Sequence, residues 1–119
     1  MTQHNRARNG WIEVALERDG DTCSILLSGE LDASSAEGAG EKVRGMIDGQ
    51  TLGSLVFDFC GLTGIDAAGL LGLRSTWESA REQGLKVILV RARLEAREAF
   101  ESSGLDRLLP VVYVRTDSG

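Results

Sequence analysis

Side chains that support hydrolytic, redox or metal chemistry are scarce in this chain of 119 residues. Its one histidine, His4, lies in a segment that we predict to be a tail, so the core has no Ser-His or Cys-His pair. The motifs G-x-S-x-G, G-x-G-x-x-G and G-x-x-x-x-G-K-S/T are absent as well. Cys23 and Cys60 are predicted to lie too far apart for a disulfide, and we expect both to be reduced. We therefore predict a protein that is not an enzyme and has neither a cofactor nor a metal site.

Excess basic charge and long apolar runs are also lacking. The net charge is -5, which argues against a nucleic-acid partner because phosphate binding needs a basic surface. Arg91, Arg93 and Arg97 cluster, but Glu95 and Glu98 alternate with them, a pattern that indicates a solvated helix face. No apolar run is long enough to cross a bilayer, and the first residues lack the hydrophobic core of a signal peptide. We expect a cytoplasmic protein without direct membrane insertion.

The chain instead shows an alternation of strand-like and helix-like segments. Alternating runs at 11–18 and 22–28 flank Asp19-Gly20-Asp21, a pattern that predicts an antiparallel hairpin. Beyond the hairpin, the order β-α-β-α-β-α-β predicts a mostly parallel sheet with right-handed crossovers. The expected fold class is therefore α/β.

The length suits one domain. We place this domain at 11–114, with a flexible tail at 1–10 and a second tail at 115–119. Ser34 and Glu37 show the S-x-x-E spacing of a capping box, which predicts the start of the first helix. The other predicted elements are strands at 55–59, 86–90 and 108–114 and helices at 67–83 and 94–103.

Four carboxylates are expected near the carboxyl edge of the parallel sheet, where open α/β folds bind ligands. They are Glu30, Asp32, Asp58 and Asp66. A receiver-like phosphoacceptor that holds magnesium would resemble this cluster, but no lysine follows a later strand to support a phosphoryl group. Helix capping accounts better for Asp66, and a turn or a cap before the helix accounts better for Asp32. Asp58 either points off the open face of the sheet or forms a local hydrogen bond.

The segment between the central strand and the second helix is rich in glycine. We predict that Gly61–Ile65 is a βα loop that lies close to a partner. In the helix that follows, Leu71 falls outside the apolar stripe that faces the core. An exposed Leu71 beside Gly64 and Ala68 predicts a small apolar docking patch.

Three blocks of the sequence resemble anti-sigma factor antagonists of the STAS domain type. They are Gly29-Glu30-Leu31-Asp32, the segment from Asp58 to Leu70, and the segment from Phe100 to Leu105. The resemblance extends from Trp11 to about Val114. It implies a non-enzymatic regulator of transcription that binds an anti-sigma factor, usually a serine-protein kinase with an ATPase-type fold. Binding would release a sigma factor.

In that family the kinase phosphorylates the serine just after the aspartate, and phosphorylation blocks binding. Here the position is Ala67, and Ala68 removes the neighbouring hydroxyl, so no phosphorylation is expected at the family position. One alternative is an antagonist that binds constitutively. A second is phosphorylation of another hydroxyl, for which Thr63 is the nearest candidate. A third is a STAS-type cytosolic subunit of a lipid or anion transport system.

The resemblance implies a set of partner-binding residues around the start of the second helix. They are Asp32, Gly61, Leu62, Thr63, Gly64, Asp66, Ala67, Ala68, Gly69 and Leu71. Because Ala67 has no hydroxyl, we expect binding to an anti-sigma factor to be insensitive to ATP.

Overall fold

The computed structural model of the chain describes residues 3–7 and 10–114, with side chains described from Trp11 onward. Its six strands form one sheet in the same order as in the chain. The strands are β1 (Gln3–Ala7), β2 (Gly10–Asp19), β3 (Thr22–Leu31), β4 (Ser54–Ile65), β5 (Lys86–Arg93) and β6 (Val111–Val114). The helices are α1 (Ala33–Ile47), α2 (Ala67–Glu82), α3 (Arg97–Ser103) and α4 (Leu105–Leu108), with a 3-10 turn at Leu94–Ala96 between β5 and α3.

The predicted combination of a hairpin and a parallel sheet is confirmed. Strands β2 and β3 are antiparallel, and their pairing extends to Asp19 and Thr22 on either side of the turn. Gly20 in this turn has a φ of 65°, a left-handed conformation that glycine adopts without a steric penalty. From β3 to β6 every neighbouring pair of strands is parallel. The helices supply the crossovers that parallel strands require.

The hydrophobic core lies between the helices and one face of the sheet. In β4 the buried side chains of Leu55, Phe57 and Phe59 alternate with the half-buried Val56 and Asp58. This alternation follows from strand geometry, because successive side chains point to opposite faces. Within residues 10–114, no helix combines the length and the apolar character that a bilayer span requires.

Aromatic side chains connect α2 to the far edge of the sheet. Trp77 of α2 is fully buried and meets Phe57 edge to face, with ring centroids 5.7 Å apart. Phe59 lies beside both Trp77 and Phe100, and Phe100 packs edge to face on Tyr113 of β6 at 5.8 Å. Such geometries add to the free energy of apolar burial. The packing anchors α2 and α3 to the carboxyl half of the sheet.

Helices α1 and α2 pack closely because small residues lie at their contact. A Cβ atom added to Gly40 would lie 2.7 Å from the Thr76 hydroxyl oxygen. A Cβ atom added to Gly72 would overlap the methyl group of Ala36. The side of α2 that carries Gly72 and Thr76 therefore faces α1.

The structure tests one of the two predicted tails, the one at the N-terminal end. In place of part of the predicted flexible tail at 1–10, residues 3–7 form β1, which pairs with β2 in an antiparallel register. The free edge of β2 offers hydrogen-bonding groups that a neighbouring strand satisfies. The predicted tail at 115–119 lies outside the described residues, and the domain bounds at 11–114 stay a prediction.

The prediction of a loop at Gly61–Ile65 is wrong, because β4 continues to Ile65. This segment pairs with the end of β3 across two register shifts. A Cβ atom at Gly61 would lie 2.6 Å from the Ser28 hydroxyl oxygen, so glycine permits the close approach of the two strands. Cys60 therefore lies inside β4 and is exposed, whereas Cys23 is buried, and both are free thiols.

The capping box predicted at Ser34 and Glu37 is also wrong. The N-cap of α1 is Asp32, and the residue that completes the capping box is Ser35. Because β3 runs on past Ser28 to Leu31, the helix begins immediately after the strand.

The segment after β5 is more divided than the single helix predicted at 94–103. It forms the 3-10 turn and α3, and α4 follows after Gly104, whose φ of 76° ends α3. The last strand consequently begins at Val111, after Pro110, and not at 108. It forms an edge of the sheet, as predicted.

Candidate functional site

The starts of α1 and α2 lie side by side at the carboxyl edge of the sheet. Leu31 and Ile65, the last residues of β3 and β4, are partners in the parallel ladder. Each is followed by an aspartate in an extended conformation that caps a helix. The Asp66 amide donates a 3.2 Å hydrogen bond to the Leu31 carbonyl, which ties the second cap to the end of the first strand. Both helices therefore present their positive N-terminal ends at one edge.

Asp32 is held by a complete set of capping interactions. Its Oδ1 accepts hydrogen bonds from the Ser34 amide at 3.0 Å, the Ser35 amide at 3.1 Å and the Ser34 hydroxyl at 2.7 Å. The Ser35 hydroxyl accepts from the Asp32 amide and donates to the Glu30 carbonyl at 2.7 Å. The hydrogen bond from the Ser34 hydroxyl, more than those from the amides, lowers the pKa of Asp32 below its ordinary value. Of the turn and the cap predicted for Asp32, the cap is the one observed.

Asp66 caps α2 with fewer contacts. Its Oδ1 accepts a 2.7 Å hydrogen bond from the Gly69 amide, and its carbonyl accepts from the Leu70 amide at 3.1 Å. The predicted cap is confirmed. The next two side chains are methyl groups: Ala67 is half-buried and Ala68 is exposed. The first turn of α2 thus presents a neutral surface without a hydroxyl group.

Gly69 brings α2 into contact with the end of β3. A Cβ atom there would overlap the Leu31 carbonyl oxygen and lie 2.8 Å from the Asp32 nitrogen. Gly69 is buried, and so is Leu62. These two residues of the predicted partner-binding set therefore support the surface from below and offer little area for contact.

The other eight residues of that set are exposed or half-buried around the start of α2, and we call them the docking surface. They are Asp32, Gly61, Thr63, Gly64, Asp66, Ala67, Ala68 and Leu71. Leu71 is 48% exposed, as predicted for the apolar patch. The Thr63 hydroxyl donates to the Gly29 carbonyl at 3.2 Å. The partner-binding role of the docking surface remains a proposal.

Whereas the other two aspartates of the predicted cluster cap helices, Asp58 forms an ion pair with Arg91. Its carboxylate accepts bonds from the Arg91 guanidinium, with both oxygens about equally close to Nε at 3.1 and 3.0 Å, and Oδ1 also accepts from the Cys60 amide. Both alternatives for this side chain are observed, because Asp58 lies on the face of the sheet opposite the core and also accepts a local hydrogen bond from the Cys60 amide. Arg91 has a φ of 56° where β5 shifts register before Ala92.

The four predicted carboxylates do not form a metal site. Asp32 and Asp66 serve as caps, and Asp58 pairs with Arg91. Within the part of the chain that the structure describes, no group of three or more His, Cys, Asp or Glu side chains is placed to hold a cation. This arrangement offers no support for the receiver-like alternative.

The structure adds a groove that the sequence did not predict. It has a volume of about 460 Å³ and lies between the end of β4 and the segment that joins β5 to α3. Leu62 and Ile65 line one side, and Ala92, Arg93 and Ala96 line the other. The two walls come from distant parts of the chain, so no local pattern indicates the groove.

Comparison with known proteins places these features in a family. A sequence model of the STAS domain matches residues 13–117. The fold is similar to that of the anti-sigma factor antagonist SpoIIAA in its unphosphorylated form, with 22% identity over 88% of this chain and 89% of that chain and a TM-score of 0.66. It is also similar to an anti-sigma factor antagonist from Mycobacterium paratuberculosis, with 24% identity over 85% of each chain and a TM-score of 0.67. The phosphorylated form of SpoIIAA from Bacillus matches with 22% identity over 88% of this chain and 92% of that chain, at a TM-score of 0.60.

Proposed function

This chain belongs to the STAS domain family, and from that premise we propose that it is an anti-sigma factor antagonist. It binds an anti-sigma factor of the serine-kinase type and thereby releases a sigma factor for transcription. It acts by binding and catalyses no reaction of its own. The observation that carries this proposal is the neutral first turn of α2, where the Asp66 cap is followed by Ala67 and Ala68 and then by the exposed Leu71.

The docking surface has the properties of a preformed interface. Its backbone is fixed by strand pairing on one side and by the Asp66 cap on the other. Little conformational entropy is therefore lost when a partner binds. Leu71 offers an apolar anchor, while Ala67 and Ala68 leave room for a partner to approach the start of the helix.

The side chain of Ala67 favours constitutive binding among the alternatives. A phosphate at this position would add a charge of about -1.5 to -2 near neutral pH, enough to repel a partner fitted to an uncharged side chain there. Ala67 cannot accept that group, so the surface keeps one charge state. The Thr63 hydroxyl is already engaged with the Gly29 carbonyl, which makes it a poorer substitute as an acceptor.

A displacement assay tests this function. The purified chain is titrated into a complex of a serine-kinase anti-sigma factor and its sigma factor, both encoded in the same genome. We expect the sigma factor to be released as the antagonist binds. Replacement of an apolar anchor by a charge should weaken binding by at least about tenfold. The Leu71→Asp variant should therefore release the sigma factor only at a correspondingly higher concentration of the variant.

Val112→Asp is the matched control, because Val112 is similarly exposed, at 47%, but lies on the edge strand β6. It should release the sigma factor as the natural chain does. Failure of the natural chain to displace the sigma factor from any such complex would refute the proposal. Capture of the chain by a membrane permease would favour the transporter-subunit alternative in its place.

A further inference from the structure

The groove beside the docking surface has an apolar floor and open space above it. Leu62 and Ala96, only 5% and 7% exposed, form part of its lining, and Ile65 and Ala92 continue the apolar walls. The small side chains of the two alanines leave the volume of about 460 Å³ unfilled. A space of this size accommodates a large apolar side chain from another molecule.

An exposed leucine lies next to this groove. Leu94, in the 3-10 turn between Arg93 and Glu95, is 43% exposed. Thr63 and Gly64, which belong to the docking surface, also line the groove. The groove is therefore continuous with the docking surface, and Leu94 extends its apolar part on the other side.

Arg93 differs from the two arginines near it. Arg91 pairs with Asp58, and Arg97 lies 3.4 Å from the carboxylate of Glu101 one helical turn away. Among residues 11–114, Arg93 forms no ion pair, and its side chain lines the groove. The solvated-face interpretation of this cluster suits Arg97. It does not account for Arg93, which lines the groove together with Glu95 and forms no ion pair with any residue in 11–114.

We propose that the groove is a second part of the partner interface, an inference that rests on the proposed function. An apolar side chain of the anti-sigma factor enters the groove above its floor of Leu62 and Ala96, and a neighbouring carboxylate of the anti-sigma factor pairs with Arg93. Guanidinium groups bind carboxylates through two parallel hydrogen bonds, so this contact selects a partner with an acidic residue beside an apolar one.

Charge reversal and an apolar-to-acidic change test the two halves of this contact. The affinity of the purified anti-sigma factor for Arg93→Glu and for Leu94→Asp is measured by calorimetry. Each change should weaken binding by about tenfold or more, since an attraction becomes a repulsion in one and an apolar contact is lost in the other. The Arg93 side chain makes no capping hydrogen bond at the 3-10 turn, so its replacement should leave the thermal unfolding midpoint unchanged.

Arg97→Glu and Val112→Asp are the matched controls, and both should bind within about twofold of the natural chain. Arginine substitutions of the acidic residues on the anti-sigma factor provide a further test. One of them should restore binding to Arg93→Glu, which a merely structural role of Arg93 would not permit.

The possible failures are distinguishable. Natural affinity of both groove variants together with lost binding of Leu71→Asp would overturn this inference and leave the proposed function standing. No binding by the natural chain would remove both. A dimer of the natural chain that Leu94→Asp dissociates, seen by light scattering, would identify the occupant as a second copy and would also overturn the inference.

Discussion

The first turns of α1 and α2 follow neighbouring parallel strands, and each begins at an aspartate with an extended backbone. After Asp32 the chain places hydroxyl groups at Ser34 and Ser35, and these bind the cap carboxylate, the cap amide and the end of β3. After Asp66 it places two methyl groups, and a single side-chain hydrogen bond to the Gly69 amide closes the cap. Similar backbones therefore carry opposite side-chain chemistry.

Because of this difference, the side chains at the start of α1 stabilise the fold, whereas those at the start of α2 are left to form a surface. The two serine hydroxyl groups form hydrogen bonds within the fold, and these bonds hold the start of α1 against β3. The first turn of α2 forms without hydroxyl groups because Asp66 and the contact of Gly69 with Leu31 suffice to position it. Ala67 and Ala68 are consequently not needed for capping, and they shape the docking surface.

The largest expected effect concerns the contact that aligns the two helix starts. Gly69→Ala places a methyl group against the Leu31 carbonyl and the Asp32 nitrogen, so backbone must move. We expect a loss of about 3 kcal/mol in the free energy of unfolding, measured with urea. Gly45→Ala is the control, since a Cβ atom there meets nothing within 4 Å.

In the exposed helical position of Gly45, alanine should raise the free energy of unfolding by about 0.5 to 1 kcal/mol. A Gly69→Ala variant as stable as the natural chain would show that the two helix starts are not held in this contact.

The next effect compares the two caps directly. Asp32→Ala removes three accepted hydrogen bonds and leaves the Ser34 hydroxyl without its partner, whereas Asp66→Ala removes one. We expect losses of about 2 and about 1 kcal/mol respectively, at the upper end and near the middle of the range for N-caps. Equal losses, or a larger loss for Asp66→Ala, would contradict the contrast between a structural and a surface helix start.

The smallest effect is the pH dependence of the α1 cap. Because the pKa of Asp32 is lower in the folded state, its carboxylate stabilises the fold fully above the ordinary carboxyl pKa. This contribution is lost as the pH falls through the lowered pKa of the folded state. Urea unfolding from pH 7 to pH 3 should show a smaller acid-induced loss for Asp32→Asn, which has no charge to titrate.

Ser34→Ala gives the matched comparison, since it removes the hydroxyl that contributes most to the shift. Its acid-induced loss should lie between those of the natural chain and Asp32→Asn. Identical pH profiles for all three proteins would show that the hydroxyl does not stabilise the charged cap.

Sequence patterns predicted the features that depend on local chemistry. The turn at Gly20 and the cap at Asp66 were predictable, because a left-handed turn and a helix start require particular residue types nearby. The capping box at α1 was misplaced because its position depends on where β3 ends. Pairing with β4 carries β3 to Leu31, and this pairing is not a local property.

The prediction of a loop in the glycine-rich segment 61–65 was wrong for a related reason. Glycine is typical of loops, but Gly61 is required where β4 crosses Ser28 at a register shift. The groove was unpredictable because its walls, near Leu62 and Ala96, meet only in the folded chain. The family-like block around Asp66 was recognisable because its residues are contiguous.

The most direct test of the central claim is the affinity of the natural chain for a serine-kinase anti-sigma factor, measured with and without ATP and magnesium. Ala67→Ser is the matched variant, because it restores only the acceptor hydroxyl. We predict the same affinity under both conditions and no phosphate on the natural chain, whereas Ala67→Ser gains phosphate and loses binding when ATP is present. An ATP-dependent loss of binding by the natural chain, with phosphate mapped to Thr63 or to another residue, would contradict constitutive binding.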